Sequence, residues 1–410
     1  MSRTAVAAPP RLALTIEPEP AKALPMEQER ALLRQAIDRQ PATEALRRGY
    51  VSLSLLLDAF DDVIALGTPL AEDTGAASDL LAVAIAYMSR DHDGDMTCAD
   101  GFAARAAAAA DEPKPRAAAL ALHGKIRTLL GDRDGALTLL EAALEADPAN
   151  VDAAKRRMTL LLRRGQPDTA LAVADALRAR GANHARLLAA MGEAHAMLGD
   201  LATARSLIGV PDFLVSETLP VPDGWSSLEG FNADLSAELN GHANLRYGRY
   251  GVASSHSWRV DRPATGRVPA NRALRDAITA RVLDAARRHD AIDHPWVATR
   301  PDRAIFHNWS VLTDAEGYEE WHVHQGGWMS GVYYVDVPDA IVNGTGREGC
   351  IAFGLPDDPV DGAIATAYGE TLVRPRSGML LLFPSQAFHR TFPHGGDRRR
   401  ICVAFDIVPA

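Results

Sequence analysis

Trp321-His322-Val323-His324-Gln325 is the stretch from which the rest of the chain can be read, and its pattern predicts a strand over 319–325. Side chains two apart on a strand share a face, so both imidazoles can reach one metal ion. Around it lie short runs rich in Val, Ile, Tyr and Phe at 304–312, 330–337, 349–354, 371–374, 378–383 and 399–408, separated by Gly, Pro and Asp turns. Short strands in such a series predict a sandwich or jelly roll. The mouth of such a barrel can hold a metal and a small ligand. Downstream, His389 follows the apolar run that ends in Phe383-Pro384, and Arg398-Arg399-Arg400 leads into the last apolar run.

Upstream the character is different. From Met26 to Gly209 Ala, Leu and Arg dominate and alternation is absent, which predicts helices. Gly131, Gly165 and Gly199 stand 34 residues apart, and each is followed five residues later by Ala136, Ala170 or Ala204. Gly124 and Gly192 precede the first and last of these glycines by seven residues. A 34-residue period with small residues in register is the mark of tetratricopeptide repeats. Glycine turns the chain after one helix, and alanine lets the next lie close. The units run over 117–150, 151–184 and 185–209, and 26–116 reads as two or three degenerate helical pairs. Residues 1–25, rich in Ala and Pro, read as a disordered leader. Pro211, Pro220 and Pro222 mark the change of character, so the expected division is 1–25, 26–209 and 210–410. Beyond it, 245–252 reads as a strand, and 272–289 reads as a helix with Leu274, Ile278, Val282 and Ala285 on one face. The expected architecture is a helical tetratricopeptide-repeat solenoid followed by a double-stranded β-helix, or jelly-roll, domain.

The chain has 410 residues, 47% of them hydrophobic, and a formal net charge of -10. That charge argues against a nucleic-acid phosphate binder. No run approaches a membrane span. Cys98, Cys350 and Cys402 are far apart and form no thiolate metal motif. They fit a reducing compartment, and the expected location is cytoplasmic.

Imidazole nitrogen suits iron, zinc, copper and nickel. Non-heme iron oxygenases usually hold Fe(II) with two histidines and one carboxylate, leaving positions open. Here His324 stands where that carboxylate would be. Three readings stay open: iron held by His322, His324 and His389; a carboxylate from elsewhere, such as Asp336 or Glu320; or His322 and His389 alone. Arg400, on the last strand, can grip the far carboxylate of a dicarboxylate cosubstrate with two prongs. Cys402 shares its face and leaves room. Asn308 and Tyr334 are candidate cosubstrate contacts, and Trp321 and Trp328 are candidates for the entrance or for the core.

His322-x-His324, Ser330-Gly331-Val332-Tyr333-Tyr334-Val335, Pro375-x-x-Gly378-x-Leu380-Leu381-Leu382-Phe383-Pro384-Ser385, His389, Pro393 and Arg400 together resemble a known group. They are similar to bacterial 2-oxoglutarate/Fe(II)-dependent oxygenases of the prolyl-hydroxylase-like branch of double-stranded β-helix enzymes. The resemblance covers 211–410, and members of the group are often joined to tetratricopeptide repeats. It implies Fe(II) and 2-oxoglutarate as cofactors and molecular oxygen as cosubstrate. It also implies release of succinate and CO2 and hydroxylation of a C–H bond. The concave surface of a solenoid suits a peptide or protein substrate. Two rival readings remain at this point: a repeat-based interaction module with a degenerate barrel, and a three-histidine dioxygenase without a keto acid. A homodimer is left open.

Overall fold

The computed structural model describes residues 13–410. Five helices (Met26–Arg39, Glu44–Leu56, Phe60–Thr74, Ala77–Arg90 and Asp95–Ala109) precede three helix pairs. The pairs are Pro113–Leu129 with Arg133–Ala146, Val151–Arg163 with Pro167–Ala179, and Ala185–Met197 with Leu201–Ile208. The periodic glycines turn the chain inside each pair, with φ of +85°, +67° and +84° at Gly131, Gly165 and Gly199. Ala136, Ala170 and Ala204 are fully buried. At Gly192 an added Cβ would lie 2.8 Å from Ile208, and at Gly124 it would lie 2.9 Å from Leu140. The middle unit exchanges the sizes: 34 residues on from Gly124 and Leu140 stand Met158 and Ala174, both fully buried. Core volume is conserved although the residues are not.

The remaining chain forms two sheets. Its strands are β1 (Thr15–Pro18), β2 (Val215–Thr218), β3 (Leu245–Tyr247), β4 (Ser254–Val260), β5 (Arg303–Glu319), β6 (Met329–Asp336), β7 (Ile351–Phe353), β8 (Thr371–Val373), β9 (Met379–Pro384), β10 (His389–Thr391) and β11 (Arg400–Pro409). The large sheet runs β2-β9-β6-β11-β5-β4-β3, with β1 parallel against the start of β5; the small sheet runs β10-β7-β8. Alternation along each strand sorts the side chains into two layers. Phe306, Leu312, Tyr333, Leu380, Val403 and Phe405 face outward. Helices Leu228–Asn240 and Pro269–His289 cover that layer through Phe231, Leu235, Leu274, Ile278 and Val282. Val311, Val332, Tyr334, Leu381, Phe383 and Cys402 face inward, toward Ile351 and Phe353 of the small sheet. Ala189, Ala196, Ala204 and Ile208 of the last repeat join this inner core, so the repeats and the sheets share packing.

Three expectations are corrected. Residues 1–12 of the expected leader lie outside the described residues. The rest of the leader is not disordered throughout, because Thr15–Pro18 pairs with Arg303–Phe306 of β5. β4 covers only Ser310–Glu319, which leaves the first part of that edge open to β1. The strand over 319–325 does not form as one piece: β5 ends at Glu319, and His322 makes only an isolated bridge to His389. The strand over 245–252 stops at Tyr247, where Gly248 takes a φ of +63°.

Candidate active site

His322, His324 and His389 meet between the sheets. Their nearest ring nitrogens all lie within 4.8 Å of one another, and the His322 and His389 ring centroids are 4.1 Å apart. The segment 322–324 keeps its extended spacing without a full ladder. His322 N donates to His389 O at 3.0 Å, His389 N donates back at 3.0 Å, and His324 N donates to Ser385 O at 3.0 Å. The two imidazoles of the motif therefore still face one way, with centroids 5.3 Å apart.

Each ring is held through Nδ1. His322 Nδ1 donates to Glu320 O at 2.7 Å, and His389 Nδ1 donates to Ala387 O at 2.9 Å. His324 Nδ1 donates to the Asp406 carboxylate. With every Nδ1 occupied as a donor, the three Nε2 atoms carry the free lone pairs that bind a metal. Burial pushes the His322 and His389 pKa values down, and for His389 the neighbouring imidazoles push further. Both shifts favour the neutral form that a ligand must have, although at His322 the Glu319 charge works the other way. Burial works against charge on His324 too, but the Asp406 charge and hydrogen bond outweigh it and raise its pKa. Asp406 in turn accepts from Ser330 Oγ at 2.6 Å, and Ser330 Oγ lies 2.7 Å from Ser385 Oγ.

Arg400 enters the same cavity from β11. It is 2% exposed, and its Nη1 donates to Gly349 O at 3.1 Å. Its Nε has no hydrogen-bond partner, and Arg400 makes no ion pair among the described residues. An unpaired buried guanidinium is costly unless something anionic completes it. Tyr334, Cys402, Thr391 and Glu319 line the cavity with it.

Residues 307–406 match the family model described as "Putative 2OG-Fe(II) oxygenase", and residues 128–194 match the one described as "Tetratricopeptide repeat". One segment of the chain is thus similar to 2OG-Fe(II) oxygenases and another to tetratricopeptide repeats. A prolyl-4-hydroxylase structure from Pseudomonas putida aligns over 49% of this chain and 96% of its own, at 15% identity and a TM-score of 0.34. A thermophilic tetratricopeptide-repeat protein from Thermus thermophilus aligns over 38% of this chain and 83% of its own, at 20% identity and a TM-score of 0.32. One from Parabacteroides merdae aligns over 45% and 71%, at 18% identity and a TM-score of 0.36. No curated protein matches the chain.

Among the strands, the other candidate residues fall as follows. Asn308 is not in the cavity. It pairs with Phe405 in the outward layer and lines a separate pocket with Glu19, Phe306 and Arg262; the inward neighbour is Trp309. Asp336 is engaged outside by Arg398 at 2.7 Å, and Glu320 is exposed and contributes only its carbonyl. Trp328 is a core residue stacked on Trp296 at 5.0 Å, whereas Trp321 lines a cleft outside the histidines. Two carboxylates were not singled out from the sequence. Asp406 shares the inward face of β11 with Arg400, six residues away, and strand parity from Arg400 points to it. Glu319 precedes Glu320 in the chain and lines the cavity. Burial raises the pKa of its carboxyl, but the charges of His322 and Arg400 hold it below the ordinary value. No helix among the described residues is long and apolar enough to cross a membrane.

Proposed function

We propose that the protein is an Fe(II)- and 2-oxoglutarate-dependent hydroxylase acting on a side chain of a peptide or protein, with succinate and CO2 as coproducts. In this reading His322, His324 and His389 hold the metal. Arg400 takes the far carboxylate of the keto acid beside Tyr334. The repeats extend to 209 and the oxygenase domain begins at 210. The observation that carries the reading is the unsatisfied Nε of buried Arg400 in one cavity with three imidazoles whose Nδ1 atoms are all engaged.

When bound, Fe(II) with 2-oxoglutarate supplies oxygen activation and the oxidising power to attack a C–H bond. The chain's own groups orient and shelter it. Asp406 and Ser330 fix the His324 ring, and the carbonyls of Glu320 and Ala387 fix the other two. Phe353, Phe383, Ile351 and Val332 keep bulk water from the histidines. The cavity measures about 30 Å³, room for an ion and water. The complete set of hydrogen bonds behind the histidines argues against a relic barrel. Three unpaired cysteines, two of them buried, fit the cytoplasm.

The test is anaerobic loading with Fe(II), then with 2-oxoglutarate. A weak visible charge-transfer band is expected in the wild type and not in His389→Ala. Iron binding without the band would remove the keto acid from the reading, and failure to bind iron would remove the oxygenase chemistry.

A further inference from the structure

Outside the histidine cavity lies a cleft of about 780 Å³, and His322 lines both spaces. One wall belongs to the oxygenase domain, with Trp321, Gln325 and Arg390. The other belongs to the repeats: Lys155 on helix Val151–Arg163, and Arg186 and Glu193 on helix Ala185–Met197. Whatever reaches His322 through this cleft touches the repeats. The volume has room for several linked residues.

Both walls present buried polar atoms with no hydrogen-bond partner. They are Nε of Arg186 and of Arg390 as donors, Oε1 of Gln325 as an acceptor, and both carboxyl oxygens of Glu193. Arg186 is 6% exposed and Glu193 1%; an Arg186 Nη2 approach of 3.5 Å is the pair's ionic contact. Orphaned donors and acceptors side by side match a polypeptide backbone, which carries an N–H and a C=O at every residue.

Charge adds a direction. Lys155 makes no ion pair among the described residues, and its surroundings are cationic. Burial, with Arg186 and Arg156 nearby, pushes its pKa down to about 8. Farther along the repeats, Lys125 and Arg156 line a second space of about 500 Å³ together with Asp58 and Asp152. Arg163 is neutralised by Asp358, and Arg156 meets Asp152 only at 3.8 Å. Glu193 is the acid of the repeat wall and lies against Arg186, whereas Glu320 and Asp357, which make no ion pair among the described residues, border the cleft from the oxygenase side. The repeat wall is therefore the cationic one.

We propose that the substrate is an acidic polypeptide segment lying in this cleft, its target residue at His322 and its carboxylates along Lys155 and Lys125. This rests on the hydroxylase reading, because His322 at the inner end gives the cleft its chemistry. The repeats are then a wall of the substrate site, not a separate docking module.

The test is to pan short random peptides displayed on phage over the full-length protein, and to measure the best binder by fluorescence anisotropy. Enrichment in Asp and Glu is expected. Lys155→Glu should weaken binding at least about tenfold, Lys125→Glu should weaken it too, and Lys155→Arg should bind as wild type. Enrichment without acidic bias, or unchanged binding in both charge reversals, would overturn the proposal. The Fe(II)–2-oxoglutarate band is read on the same samples. A band without acidic enrichment defeats the acidic substrate alone. Acidic enrichment without a band defeats the hydroxylase and leaves an acidic-peptide site on the repeats.

Discussion

The Asp406 carboxylate holds the His324 imidazole by its Nδ1, so the carboxylate of this site stands one layer behind the histidines. Burial alone would raise the Asp406 pKa, but the charge and hydrogen bond of His324 and the Ser330 hydroxyl keep it below the ordinary value and ionised. It fixes the tautomer that leaves Nε2 free and makes that nitrogen a better ligand. Asp406→Asn should keep the fold and weaken Fe(II) binding by about 10–100-fold in an anaerobic titration. Ser330→Ala, which removes one hydrogen bond to Asp406, should cost less.

Arg400 lies on the same strand face as Asp406, at the other end of the site. It makes no ion pair among the described residues, and the Glu319 carboxylate in the same cavity feels its charge only at a distance. Arg400→Gln should leave Fe(II) affinity near wild type and raise the 2-oxoglutarate requirement by about 10–100-fold, as loss of charged hydrogen bonds does. Arg400→Lys should recover part of this, because a lysine keeps the charge but not the two-pronged grip. Unchanged keto-acid dependence in Arg400→Gln would remove Arg400 from the cosubstrate site.

How far the sequence reveals this site depends on the range of the interaction. His322 and His324 are legible because two residues of extended chain suffice to align them. Arg400 is legible because it opens the last apolar run. Asn308 is misread because its face is set by pairing with Phe405, nearly a hundred residues later, and one step of parity moves a side chain through the sheet. Glu319 is missed for the same reason, since Glu320 beside it faces out. The repeat glycines are legible because packing recurs each 34 residues, while the middle unit hides behind its Met158 and Ala174 exchange. The cleft joins residues 155–193 to residues 318–390 and has no local signature.

Glu319 lines the cavity but does not share the 4.8 Å cluster of nitrogens. It accepts from Ser254 Oγ at 3.0 Å. If three histidines bind the metal, Glu319→Gln should retain Fe(II) within about tenfold of wild type, whereas His324→Ala should lose it. The reverse order would place Glu319, not His324, in the metal shell.

Gly331 lies inside β6, where glycine is otherwise unfavourable. An added Cβ would lie 2.4 Å from Leu381 O and 2.4 Å from the Phe405 ring. Neither can withdraw, because one is ladder backbone and the other is core. Gly331→Ala should lower stability by about 1–3 kcal/mol in chemical denaturation. Gly331 and Val332 line the histidine cavity, so the strain should also loosen Fe(II) binding.

Glu193 provides a pH test of the repeats. Burial pushes its carboxyl from an ordinary value near 4.5 up to about 7; Asp358 adds to this, and Arg186 and Arg163 oppose it. The folded chain therefore holds this proton at pH values where the unfolded chain has released it. The stability that Glu193 contributes is complete below about pH 4.5 and is lost as pH rises through about 7. At 1.36 kcal/mol per unit the loss is roughly 3 kcal/mol. Glu193→Gln cannot lose a proton, so its denaturation midpoint should fall less than wild type between these limits. Parallel pH profiles for the two proteins would show that another group carries the dependence. An acidic peptide in the cleft should add to the wild-type slope, because it favours the protonated, neutral Glu193 beside it.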